Sequence, residues 1–225
     1  GPASIGFVSA QNIASGQSGV ALRNGAGNAI QLEVLDPYGN RASDSTTVVT
    51  ATVTSGSNTV TSLNGRSARA VAGLVTFNNL TLNAIARAGY QITFTATNVG
   101  EVVNNKTAAS QLFELQAGSA AQLDILTQSA QIRSNRVFGQ LPVLRILDAE
   151  GSLVQSGPSS TLSATVTIGL ISSSGTIPAL SGTTTVQAVG GIIDFAGSGL
   201  TLDGLVGDYL LTYTITNPSG TVIKA

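Results

Sequence analysis

The C-terminal half of this 225-residue chain repeats the N-terminal half, which restricts it to two copies of one folding unit. Leu32-Glu33-Val34-Leu35-Asp36-Pro37-Tyr38-Gly39-Asn40 returns 112 residues later as Leu144-Arg145-Ile146-Leu147-Asp148-Ala149-Glu150-Gly151-Ser152. Ala51-Thr52-Val53-Thr54 returns as Ala164-Thr165-Val166-Thr167, and Val75-Thr76-Phe77 as Ile193-Asp194-Phe195. Tyr90-Gln91-Ile92-Thr93-Phe94 returns as Tyr209-Leu210-Leu211-Thr212-Tyr213, now at an offset of 119. The growing offset places the length differences in loops, where insertions are tolerated best. Two domains follow, 1–116 and 117–225, each of ordinary size.

Within each copy the apolar pattern has period two. Ile30, Leu32 and Val34 alternate with polar or small neighbours, as do Val49, Ala51 and Val53 among threonines. Tyr90, Ile92, Phe94 and Ala96 line one face of a later segment, and Tyr209, Leu211, Tyr213 and Ile215 do so in the copy. Such alternation describes strands with one buried and one wet face. Asn24-Gly25, Asp36-Pro37-Tyr38-Gly39-Asn40, Ser55-Gly56-Ser57-Asn58 and Asn64-Gly65 punctuate them with turn chemistry. The sequence therefore predicts an all-β chain of two antiparallel β-sandwiches. Strands are expected at 4–9, 29–36, 47–54, 74–82, 89–98 and 108–116 of the first copy. The linker near Gln116-Ala117-Gly118-Ser119 is short, so an elongated, end-to-end arrangement is expected. The first copy continues past Asn98 into a closing strand through Phe113, whereas nothing equivalent is expected after Asn217.

Composition narrows the chemistry. Charged residues are only 9% of the chain, against roughly 25% for typical soluble domains. A net charge of −1 provides no electrostatic footprint for nucleic acid. Cys, His, Met and Trp are all absent. Disulfides, thiol nucleophiles and the usual general base are thereby excluded. No apolar run reaches the ~18 residues of a membrane span. No Gly-x-Ser-x-Gly elbow opens a helix, and the acidic residues single out no pair, so no catalytic residues are expected.

The frame Gly1-Pro2-Ala3, Val34-Leu35-Asp36-Pro37-Tyr38-Gly39-Asn40, Gly73-Leu74-Val75-Thr76-Phe77 and Gly89-Tyr90-Gln91-Ile92 resembles the bacterial Ig-like repeats of invasin- and intimin-type adhesins. The second copy departs from that frame with Ser152 in the turn and Asp208 before Tyr209. The resemblance spans both halves and rests on turn and core residues. It implies Ig-like sandwiches of an extracellular or cell-surface protein, such as a stalk, adhesin, S-layer or filament segment, without enzymatic activity.

Candidate sites follow from single positions. Asp36 and Asp148 are Ca²⁺-ligand candidates at matching strand ends, although an Asp there also caps its own turn. Tyr38, unrepeated and at a turn tip, is a candidate surface contact. Tyr90 and Tyr209 open late strands in the manner of a tyrosine corner. Asn105-Lys106-Thr107 and Asn79-Leu80-Thr81 fit the glycosylation acceptor pattern. Asn105 is the better placed, since Asn79 falls inside an expected strand. Ser4, Ile5, Phe7 and Val8 form an apolar segment suited to complete a neighbour's sandwich as a donor strand. The expected partners are neighbouring copies, adjacent Ig-like repeats, or a host or surface ligand. A self-assembling subunit and a glycan- or receptor-binding module are the alternatives to a structural segment.

Overall fold

A computed structural model describes residues 1–8, 12–55, 57–170 and 176–225. Ser9, at the end of the first expected strand, and Gly56, in an expected turn, lie outside the described residues. The chain divides into two compact units, Gly1–Gly118 and Ser119–Ala225. Each is an Ig-like antiparallel β-sandwich.

The first unit contains β1 (Ser4–Phe7), β2 (Ser15–Gln17), β3 (Ile30–Leu35), β4 (Val48–Ser55), β5 (Val60–Asn64) and β6 (Ser67–Arg69). It continues with β7 (Leu74–Phe77), β8 (Thr81–Ala84), β9 (Arg87–Thr97), β10 (Thr107–Ala109) and β11 (Phe113–Gln116). One sheet has the order β1-β3-β7. The opposite sheet has the order β2-β11-β9-β4-β6, with β10 also on β9, and β5 pairs with β8. Ile30, Leu32 and Val34 of β3 and Tyr90, Ile92, Phe94 and Ala96 of β9 are fully buried, as period two requires. Phe94 sits at the centre of this core. Its ring lies 5.5 Å from Phe7 and 5.1 Å from Phe77.

The second unit contains β12 (Gln122–Thr127), β13 (Val143–Leu147), β14 (Ser163–Leu170), β15 (Ala179–Ser181), β16 (Thr185–Gln187), β17 (Ile192–Asp194), β18 (Thr201–Asp203), β19 (Tyr209–Thr216) and β20 (Val222–Lys224). Its sheets run β12-β13-β17 and β16-β14-β19-β20, with β15 on β18. Tyr213 stands where Phe94 stands in the first unit, its ring 6.0 Å from Phe195.

Four sequence expectations change. The expected strand 74–82 is two strands, because Asn78-Asn79 bend the chain between β7 and β8. Asn79 is therefore exposed in a bend rather than held in a ladder. The match of Ala51 to Ala164 is displaced by two. Val49 pairs with Ala68 as Ala164 pairs with Val186, and Ala51 pairs with Phe94 as Val166 pairs with Tyr213. A slip of two keeps every side chain on its face, which hides it from pattern matching.

The closing strand of the second unit is partly present. β20 pairs with β19 after a turn in which the Asn217 side chain accepts the Ser219 and Thr221 N–H groups. Ala225 exchanges two backbone hydrogen bonds with Tyr213, each 3.0 Å. β20 is thus the counterpart of β10. Finally, the proposed donor segment is committed to its own unit: Ser4–Phe7 is β1, paired in register from Ser4↔Leu35 to Phe7↔Leu32. Ile5 is buried, and the Val8 N–H donates to the Gln31 carbonyl.

Candidate functional site

The acidic turns come first, because their residues were the metal candidates. The Asp36 carboxylate accepts the N–H groups of Tyr38 and Asn40, both at 2.9 Å. The Asn40 N–H, ahead of the Tyr38 N–H, holds the Asp36 pKa below the ordinary value. Asp148 accepts from Glu150 and Ser152 at 3.0 and 2.8 Å. Gly39 and Gly151 complete these turns at φ of 83° and 81°, a region that favours glycine. Each aspartate ties up its own turn. No group of three or more His, Cys, Asp or Glu side chains suited to a metal ion occurs among the described residues.

Asp44 forms a larger polar hub that sequence reading passed over. Its carboxylate accepts the Thr46 hydroxyl at 2.6 Å and the Thr46 and Thr47 N–H groups at 3.1 and 3.0 Å. Its carbonyl accepts the Gly73 N–H at 2.5 Å. Asn98 then donates to the Thr46 and Thr47 hydroxyls, joining a third loop. Burial pushes the Asp44 carboxyl up, but these hydrogen bonds prevail and bring its pKa to about 2. The string Asp44-Ser45-Thr46-Thr47 carries the available signal, since Asp bonds readily to backbone two and three residues on. Asp36 and Asp44 both border a hollow of about 340 Å³ beside Gly1 and Pro2.

Among the other sequence-derived positions, Tyr38 is 89% exposed at its turn tip. Asn105 is exposed with φ of 63°, its N–H bonded to the Ala96 carbonyl. Both side chains can be reached from solvent, and they lie on separate loops. Tyr90 is fully buried. Its hydroxyl donates to the Ile85 carbonyl and lies 2.7 Å from Thr59 Oγ1. The Tyr209 hydroxyl donates to the Leu205 carbonyl at 2.7 Å, a corner of the same kind.

The largest concavity lies in the second unit, beside the N-terminal half of β19. It has a volume of about 1070 Å³ and is bordered by Ile132, Leu202, Val206, Tyr209, Leu211 and Tyr213. In the first unit the corresponding space is filled. β11 runs antiparallel to β9 there (Phe113↔Tyr90, Glu114↔Ala88, Leu115↔Arg87) and parallel to β2 on its other side. Phe113 and Leu115 point inward and are buried, with the Phe113 ring 6.1 Å from Tyr90. In the second unit Tyr209 and Leu211 are only partly buried, whereas their counterparts Tyr90 and Ile92 are fully buried. The Tyr213 hydroxyl reaches Ser129 at 2.9 Å across this space, and burial raises its pKa. Sequence reading found the origin of the groove, the segment unmatched after Asn217, but not its walls.

No protein-family model matches the chain, and no curated protein does. Solved structures give distant likenesses. A β-glucuronidase from Parabacteroides merdae aligns at 14% identity and a TM-score of 0.27, covering 100% of this chain and 24% of its own. The Escherichia coli adhesin FdeC aligns at 14% identity and a TM-score of 0.34, covering 97% of this chain and 64% of its own. Fibronectin(III)-like modules of Clostridium thermocellum CbhA align at 7% identity and a TM-score of 0.26, covering 98% and 92%. This chain spans about a quarter of the glucuronidase and less than two thirds of the adhesin. At such scores the likenesses leave the function to be argued from the chain's own residues.

Proposed function

We propose that this chain is a non-enzymatic, load-bearing pair of Ig-like modules from an extracellular surface protein. The observation that carries this reading is the parallel pairing of β2 with β11, Ser15↔Glu114 through Gln17↔Gln116. β2 lies near the start of the first unit and β11 near its end. Tension on the chain pulls β2 toward its N-terminal end and β11 toward its C-terminal end. Parallel neighbours pulled apart in this way slide past each other, and the bonds of the ladder resist together rather than one at a time. The Ser18 N–H donating to the Gln116 carbonyl at 2.9 Å extends that ladder by one bond. The absence of oxidisable Cys and Met and the 9% charged residues suit a packed surface layer or stalk.

Single-molecule stretching tests the reading. Pulling through the chain ends should give an unfolding event for the first unit with a length gain on the order of 400 Å. Attaching the handles so that the same ladder peels from one end should lower that force severalfold. Equal forces in the two geometries would refute the load-bearing role.

A further inference from the structure

We propose that the groove beside β19 is an acceptor site for an extended peptide strand from a separate polypeptide. The strand carries an aromatic residue two positions before a small apolar one. This goes beyond the mechanical reading and does not depend on it.

The first unit supplies the template for the occupant. The backbone positions that receive β11 there are Tyr90, Ala88 and Arg87, and their counterparts are Tyr209, Gly207 and Val206. One edge of β19 pairs with β14 from Tyr209 to Thr214. Along the other, β20 covers only Thr214–Thr216, with Ala225 on Tyr213. Among the described residues no strand covers that edge from Tyr209 to Thr212, and an uncovered edge is a template for pairing. Leu205, Val206 and Leu210 stand exposed beside it. A volume of about 1070 Å³ exceeds the roughly 300–1,000 Å³ typical of small-ligand clefts and accommodates several residues of strand.

The far wall also corresponds between units, and it sets the specificity. Ser18 Oγ accepts the Ala84 N–H at 3.2 Å, and Ser134 Oγ accepts the Gly204 N–H at 3.3 Å. The Gly19 N–H donates to the Leu82 carbonyl as the Asn135 N–H donates to the Leu202 carbonyl. These pairs align β2 with Gln131–Arg133 and place Ile132 where the first unit has Gly16. A Cβ at Gly16 would stand 3.2 Å from Leu115 Cδ1. The isoleucine therefore occupies part of the space that Leu115 uses. An incoming strand keeps the aromatic against Tyr209 but needs a smaller residue opposite Ile132. A separate polypeptide is the donor because this chain's own segments of suitable pattern, Phe113-Glu114-Leu115 and Ile5-Gly6-Phe7, are already paired within their own sheets.

The test uses the 225-residue chain with two synthetic peptides, Ser110–Ala117 of its own sequence and the same peptide with Leu115→Ala. Binding is followed by backbone amide resonances. The expected result is saturable binding of the alanine peptide, at least five-fold tighter than the leucine peptide, with shifts confined to 206–213 and 129–134. Ile132→Gly should reverse the preference. Absence of binding by both peptides up to about 1 mM would overturn the site, as would shifts elsewhere. If the protein alone forms a concentration-dependent dimer with these same shifts, the occupant is a second copy and the separate donor is refuted. The two peptides on the unaltered chain decide the question even if Ile132→Gly does not fold.

Discussion

β9 and β19 have the same alternation and opposite fates along their N-terminal halves. Tyr90 and Ile92 are sealed because Phe113 and Leu115 lie over them, whereas Tyr209 and Leu211 face a cavity. The strands themselves do not cause the difference, since both pair fully with their central neighbours, β4 and β14. A strand's inward face becomes core only when a further strand closes the layer. Alternation thus records which side could be buried, and topology decides whether it is.

Three substitution and pH experiments bear on that contrast. The largest effects should come where the units agree. Phe77→Ala and Phe195→Ala remove equivalent core rings and should each cost about 3–5 kcal/mol in denaturant unfolding. A difference above about 2 kcal/mol between them would break the equivalence of the two cores. Next comes the place where the units differ. Ile92→Ala should cost roughly 3 kcal/mol and Leu211→Ala only about 1 kcal/mol, because a side chain already facing a cavity loses fewer contacts when truncated. Equal costs would mean that the groove is closed in solution.

The smallest effect concerns Asp44. Its folded pKa of about 2 lies below the ordinary 3.8, so its contribution is present above about pH 4 and is lost as pH falls toward 2. The melting midpoint of the first unit should drop over that window, and Asp44→Asn should flatten the dependence. An unchanged acid profile in the variant would remove Asp44 from the account.

Much of the fold is legible in the residues. Period two identified the buried faces of β3, β4, β9 and β19, and Asp-x-x-Gly located the turns after β3 and β13. What escaped has physical reasons. The two-residue slip between β4 and β14 is silent because it preserves the inward face. β5 was missed because Val60-Thr61-Ser62-Leu63-Asn64 has no clean alternation, and its pairing with β8 supplies what local propensity lacks. The parallel contact of β2 with β11 joins residues about a hundred positions apart, and no local pattern encodes it. Of the single-residue sites, the turn bonding of Asp36 and Asp148 followed from Asx chemistry. The Asp44 hub and the groove wall at Ile132 depend on distant loops meeting.

The exchange of Gly16 for Ile132 has a consequence for how such a chain is made. Two successive modules of one fold risk trading strands as they emerge, a characteristic failure of tandem repeats. Phe113–Gln116 fits under a glycine and not under an isoleucine. The nascent first module therefore keeps its own last strand, and one methyl-bearing side chain acts as a proofreading step between neighbours.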